Sequence, residues 1–192
     1  MIELIMIEIT KTKIREYARE YDKRNKGTND EFVEREIKKW LKSHHYLDRE
    51  EFIKIGMWKS PRPKRHYENN DNLTIKKITQ TSFIVKDERQ VVELLLGSRG
   101  GLKGVGYPVA SAILHFAFPN RYPILDFRVI WSLGWEQPKS YNFDFWQKYC
   151  NEIRGISKGI GENIRTIDKA FWEHSKENKP AYHKQCGIKN FN

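Results

Sequence analysis

Apolar residues recur at helical spacing on both sides of a short glycine turn, and this pattern constrains the chain more than any other. Val91, Val92, Leu95 and Leu96 share one helical face before the turn, and Val109, Ala112, Ile113 and Phe116 share one after it. The turn itself reads Leu102-Lys103-Gly104-Val105-Gly106-Tyr107. Gly97, Gly100 and Gly101 end the first helix, expected from Asp87 to Leu96. Pro108 opens the second in its first turn, where a missing N–H costs nothing, and that helix stops before Pro119.

The rest of the chain reads the same way and predicts an all-α protein. Val33, Ile37, Trp40 and Leu41 fall on one face, and Thr28 with Glu31 has capping-box spacing at its start. Asp48 with Glu51 opens a helix carrying Phe52, Ile53 and Ile55, which should end near Trp58 because Pro61 and Pro63 follow. Residues 59–72 are rich in proline, asparagine and basic side chains, which predicts a loop or a loop with one helical turn. Residues 74–82 are expected to be helical, although Thr79 to Val85 favours strand by composition. Asp126 opens a helix with Val129, Ile130 and Leu133 inward, ending at Gly134. A short helix over 141–150, a glycine-rich loop from Gly155 to Gly161 and a last helix over 161–174 complete the pattern. Residues 1–174 are expected to form one domain, and 175–192 a polar, poorly ordered tail.

Charge narrows the partner. The chain has 35 Lys and Arg against 25 Asp and Glu, a formal charge of +10, which favours a polyanion such as nucleic acid. Two cysteines give no disulfide framework and point to a reducing compartment. Met1 to Ile9 lacks the basic region and cleavage site of a signal peptide, and no stretch approaches a membrane span, so a cytoplasmic protein without membrane contact is expected. None of the six histidines has zinc-ligand spacing, so no metal ligands are assigned, and the zinc-deaminase and phosphate-loop signatures are missing. His115, inside the second helix, reads as a core residue.

Two features carry chemistry. Gly104 and Gly106 permit positive φ and close approach, so the turn can aim backbone N–H groups at a phosphate oxygen, helped by the positive end of the helix beginning at Pro108. Such contacts hold DNA without reading its sequence. A plain helix–helix turn would use glycine too. Asp126 stands where a helix begins, and an aspartate there is most often a simple cap. The helix and the Pro119-Asn120-Arg121-Tyr122-Pro123 link carry the chain away from the turn and back, so Asp126 can also lie beside a bound DNA backbone. A carboxylate beside C1′ stabilises the positive charge that develops when a base leaves its sugar.

Leu102-Lys103-Gly104-Val105-Gly106, the following Ala110, and Leu125-Asp126 with Val129 resemble the helix-hairpin-helix and catalytic aspartate of the endonuclease-III-like DNA glycosylase superfamily. The match covers about residues 88–134, with Arg165 to Trp172 similar to that family's closing helix. The resemblance implies a two-lobed helical fold with the hairpin at about 88–118, DNA across the cleft and one flipped nucleotide. It implies Asp126 as catalyst, and Lys103, Gly104, Val105, Gly106 and Tyr107 on phosphate. It also implies a monovalent cation on the hairpin carbonyls. Bifunctional members carry a lysine where this chain has Pro108, so strand nicking through a Schiff base is not expected. Two cysteines cannot hold the four-cysteine iron–sulfur cluster of some members. Arg62 and Arg65 are candidate DNA contacts by composition, and Trp58 and Tyr67 candidate base-pocket residues. The expected protein is a monomeric, cofactor-free, monofunctional DNA glycosylase. The alternative is a non-catalytic helix-hairpin-helix DNA-binding protein in which Asp126 is only a cap.

Overall fold

The computed structural model describes residues 10–178. Among them are ten α-helices: α1 (Lys11–Asn25), α2 (Asn29–Leu41), α3 (Arg49–Lys59), α4 (Lys64–Glu68), α5 (Asn72–Ile84), α6 (Glu88–Glu93), α7 (Tyr107–Ala117), α8 (Phe127–Ser132), α9 (Phe143–Ile160) and α10 (Ile164–Glu177). A 3-10 turn spans Gly97–Arg99, and no β-strand occurs among the described residues. The described residues are all-α, as their periodicity predicts.

Helix α7 is the axis of the core. Every residue from Val109 to Phe116 is buried, because α2 and α3 cover one side and α6 another. His115 lies there 1 % exposed, and Nδ1 bonds the Tyr122 carbonyl at 2.8 Å. Burial pushes its imidazole down to about 3, so it sits in the core as a neutral ring. Helix α10 packs on α1, α8 and α9. Its inner face is Ile164, Ile167, Ala170 and Phe171, with Asp168 buried among them. Helix α1, unassigned by pattern, buries only Ile14, Ala18 and Tyr21 and is tied to α10 by Arg24–Glu173 and by Lys169–Asp22 at 2.6 Å.

Several boundaries differ from expectation, each for a local reason. The Thr28 side chain does not cap α2: its hydroxyl donates to Asn25 O at 2.7 Å, while Glu31 accepts the Gly27 N–H at 2.7 Å. Helix α6 ends at Glu93, since Leu95 and Leu96 turn away to pair with Leu102. Helix α9 runs straight through Gly155 and Gly159, where a loop is expected. Each interior glycine costs about 1 kcal/mol, but Trp146, Tyr149, Cys150 and Ile153 form a buried stripe on the same helix that outweighs them. The helix stops only at Gly161, whose φ is 64°. Helix α10 extends three residues into the expected tail, because His174 and Ser175 are buried. Residues 179–192 and the opening stretch 1–9 lie outside the described residues.

Candidate active site

Only one of the two turn glycines needs to be glycine for its conformation. Gly104 has φ 85°, and an added Cβ would stand 2.9 Å from ring carbons of Tyr67. Gly106 is extended at φ −107°, ψ −178°, and its Cβ would meet nothing closer than Pro108 Cδ at 3.9 Å. The turn is closed by Gly97 N–H to Val105 O (2.9 Å) and Val105 N–H to Leu102 O (3.1 Å). Asn70, 5 % exposed, grips it from outside: Lys103 N–H donates to Oδ1 at 2.8 Å and Nδ2 donates to Lys103 O at 3.1 Å.

These contacts correct two assignments. Val105 cannot present its N–H to a phosphate, since Leu102 takes it, and its side chain is buried. Tyr67 is not a base-pocket residue: it is fully buried, its ring fills the space beside Gly56 and Gly104, and its hydroxyl donates to Ser60 O at 2.9 Å. The N–H groups of Gly104, Gly106 and Tyr107 have no acceptor among the described residues, and Gly106 provides α7 with no side-chain cap. These three remain available to an anion. The carbonyls of Leu102, Lys103, Val105 and Gly106 each accept one protein N–H and keep a second lone pair.

Tyr67 and Asn70 have a second effect. By packing on the turn they bring α4 against it, and Arg62, Lys64 and Arg65, in and just before α4, and Lys103 in the turn are exposed. Arg62 and Arg65 do not line the cavity described next.

From the end of α7 the chain returns along its own helix. Leu125 N–H donates to Ser111 Oγ at 2.8 Å, and Ser111 Oγ donates to Pro108 O at 2.8 Å. Ser111 lies four residues past Tyr107, about 6 Å along the helix axis. Leu125, the residue before Asp126, is therefore fixed to the middle of α7, on the helix that the glycine turn begins. The Asp126 side chain caps α8, with Oδ1 accepting Arg128 N–H at 2.9 Å. Its Oδ2 accepts from Lys59 Nζ at 2.5 Å. Lys59 is the last residue of α3, and the two side chains are 7 % and 18 % exposed.

Asp126 and Lys59 lie on the wall of a cavity of about 280 Å³, near the lower end of small-molecule sites, roughly 300 Å³. Its aromatic lining is Trp58, Tyr21, Phe127 and Trp172. Trp58 is fixed edge-on against Phe116, with ring centres 5.4 Å apart. Arg165 and Asp168, one helical turn apart on α10, also line it, as do Asp30 of α2 and Arg128 of α8. Burial opposes the Arg165 charge, but its ion pair with Glu34 more than compensates and holds its pKa above the ordinary value. Asp168 is 2 % exposed. Burial outweighs Arg165 and the Ile124 N–H, and pushes its carboxyl up to about 7.

Lys59 and Asp168 carry no role in the sequence reading. Lys59 is one of several basic residues before and within the 59–72 segment, and nothing in its spacing marks it. Asp168 gives a faint signal, an acid on the apolar face of a helix between Ile164, Ile167 and Phe171. Compared with family models, curated proteins and solved structures, the chain matches none of them.

Proposed function

We propose that this chain is a monofunctional DNA glycosylase, a two-lobed helix-hairpin-helix protein of the endonuclease-III-like type. One observation carries this reading. A carboxylate on the wall of an aromatic cavity is held, through the Leu125–Ser111 contact, against α7, the helix begun by a glycine turn that leaves three N–H groups open. The turn and the basic surface of α4 hold the DNA backbone. A base swung out of the duplex enters between Trp58 and the other rings. As the N-glycosidic bond breaks, positive charge grows on the sugar, and Asp126 stabilises it and orients the attacking water. Each Asp126 oxygen keeps a second lone pair for this role after its existing bond. Hydrolysis of this kind involves no net oxidation or reduction and needs no redox cofactor.

Lys59 places an amine in the cavity, but its Nζ donates to Asp126 and is not presented as a free nucleophile. Base release should therefore leave the strand intact until alkali is added. The test is a panel of duplexes with damaged or modified bases, phage-type modifications included, incubated with the protein and then heated in alkali. Alkali-dependent breaks support a monofunctional glycosylase. Absence of breaks on every duplex counts against it, and a borohydride-trapped covalent complex with abasic DNA contradicts the monofunctional part.

The second reading, a DNA-binding protein without catalysis, has its own observation: both Asp126 oxygens already hold protein donors, Arg128 N–H and Lys59. The Asp126→Asn variant separates the two.

A further inference from the structure

Asp168 is the one buried acid in the cavity lining that the mechanism above leaves unused. Its Oδ2 accepts the Ile124 N–H at 3.1 Å, and its Oδ1 has no hydrogen-bond partner among the described residues. Ile124 lies two residues before Asp126, at most about 7 Å along the chain. Tyr149, fully buried in α9, pins that segment by donating to Ile124 O at 2.8 Å. Two carboxyl groups are thus anchored at neighbouring points of one fixed loop and line the same cavity.

Their surroundings differ. Asp126 faces Lys59 and the first turn of α8, two donors that suit a carboxylate. Asp168 is enclosed, and its neutral form persists to about pH 7. The groups around it are Arg165 on its own helix, Lys59 from α3, Asp126 at the mouth of α8, and Tyr149 and Cys150 from α9. Glu34 of α2 pairs with Arg165. Arg165 and Lys59 favour the charged form, while Asp126 and burial favour the neutral one.

We infer that Asp168 is a second catalytic residue, the acid that hydrogen-bonds the extruded base and protonates it as it leaves, and that the substrate is a neutral base. This deepens the glycosylase reading and rests on it. In the step, the C1′–N bond breaks and its electron pair goes to the base nitrogen. That base takes a proton from Asp168 Oδ1. Water adds its oxygen to C1′ and gives a proton to Asp126. Solvent then returns Asp168 to its acid form and takes the proton from Asp126. A cationic alkylated base, already charged, leaves without this proton and has no need of Asp168.

The experiment compares wild type, Asp168→Asn and Asp126→Asn in single-turnover base release. The neutral probes are duplexes with uracil, hypoxanthine or 8-oxoguanine. The cationic probes are methylated duplexes with 7-methylguanine and 3-methyladenine. Asparagine can still accept the Ile124 N–H, and thermal melting checks the fold. The expected result is release of a neutral base by wild type, a loss of about 100-fold or more in Asp168→Asn, and little change with any cationic base that is released. Wild-type release should also fall as pH rises above about 7. A folded Asp168→Asn with wild-type rate on the neutral base overturns the inference while the glycosylase survives. So does wild-type activity confined to cationic bases. If Asp168→Asn does not fold, the wild-type profile decides: a fall above neutrality supports the inference and a flat rate from pH 6 to 9 overturns it. No release by wild type from these probes or from any duplex of the modified-base panel overturns both readings together.

Discussion

Lys59 and Asp126 stand 67 positions apart in the chain and 2.5 Å apart in the fold. The contact joins the last residue of α3 to the cap of α8 and closes one wall of the cavity. Both side chains are largely removed from water, so the pair cannot be treated as an exposed ion pair of negligible effect. Replacing Lys59 by methionine leaves the Asp126 oxygen without its charged donor. The expected loss is about 1–3 kcal/mol of unfolding free energy, read as a lower urea midpoint at unchanged slope. A midpoint equal to wild type would show that the pair contributes nothing.

The two turn glycines should respond differently to a methyl group. Gly104→Ala forces an L-residue into φ 85° and drives its Cβ against Tyr67. A loss of about 2 kcal/mol or more is expected. Gly106→Ala meets open space in an extended conformation and should cost less than about 1 kcal/mol. Thermal melts of the two variants side by side check this.

Arg62 and Arg65 should act on DNA through charge alone. Changing both to glutamine removes two cations from the exposed surface beside the turn. The plot of log affinity against log salt should become less steep by about 2, with similar weakening on every DNA sequence. An unchanged slope would remove α4 from the interface.

Much of this was legible in the chain and some was not. The helices announced themselves where a stripe of apolar residues met a capping residue, as at Asp48, Asp126 and Pro108. The all-α class followed from them. Helix α9 is longer than its sequence suggests, because glycines at 155 and 159 look like punctuation and nothing local reveals that the other face is held by Trp146 and Ile153. Tyr67 departs from expectation for a related reason. An aromatic in a basic loop suggests stacking on a base, whereas its partners, Gly56 and Gly104, lie 11 and 37 positions away (67 − 56 and 104 − 67) and become visible only in the fold. The Lys59–Asp126 contact is tertiary in the same sense. Periodicity reports which face is buried and not which partner buries it.

Stability should carry the signature of Asp168. Burial pushes its carboxyl in the folded protein up to about 7, well above the ordinary carboxylate range. A raised acid stabilises the fold fully below its unfolded pKa, and that stabilisation is lost as pH climbs through the folded value. Between pH 5 and pH 8 the wild type should therefore lose about 2–3 kcal/mol relative to Asp168→Asn. Urea unfolding of both proteins at each pH measures it. Parallel stability curves would mean that Asp168 ionises in the folded protein as freely as in the unfolded one.

Base release by Asp126→Asn decides the main question. Asparagine keeps an oxygen for the Arg128 N–H, so α8 stays capped and the fold and DNA affinity should persist. With a duplex that wild type attacks, alkali-labile sites should fall below detection in the variant while the DNA-binding isotherm remains close to wild type and the protein still unfolds cooperatively, at a melting point lowered by loss of the Lys59 ion pair. Undiminished base release from a folded Asp126→Asn protein would remove the carboxylate from the chemistry.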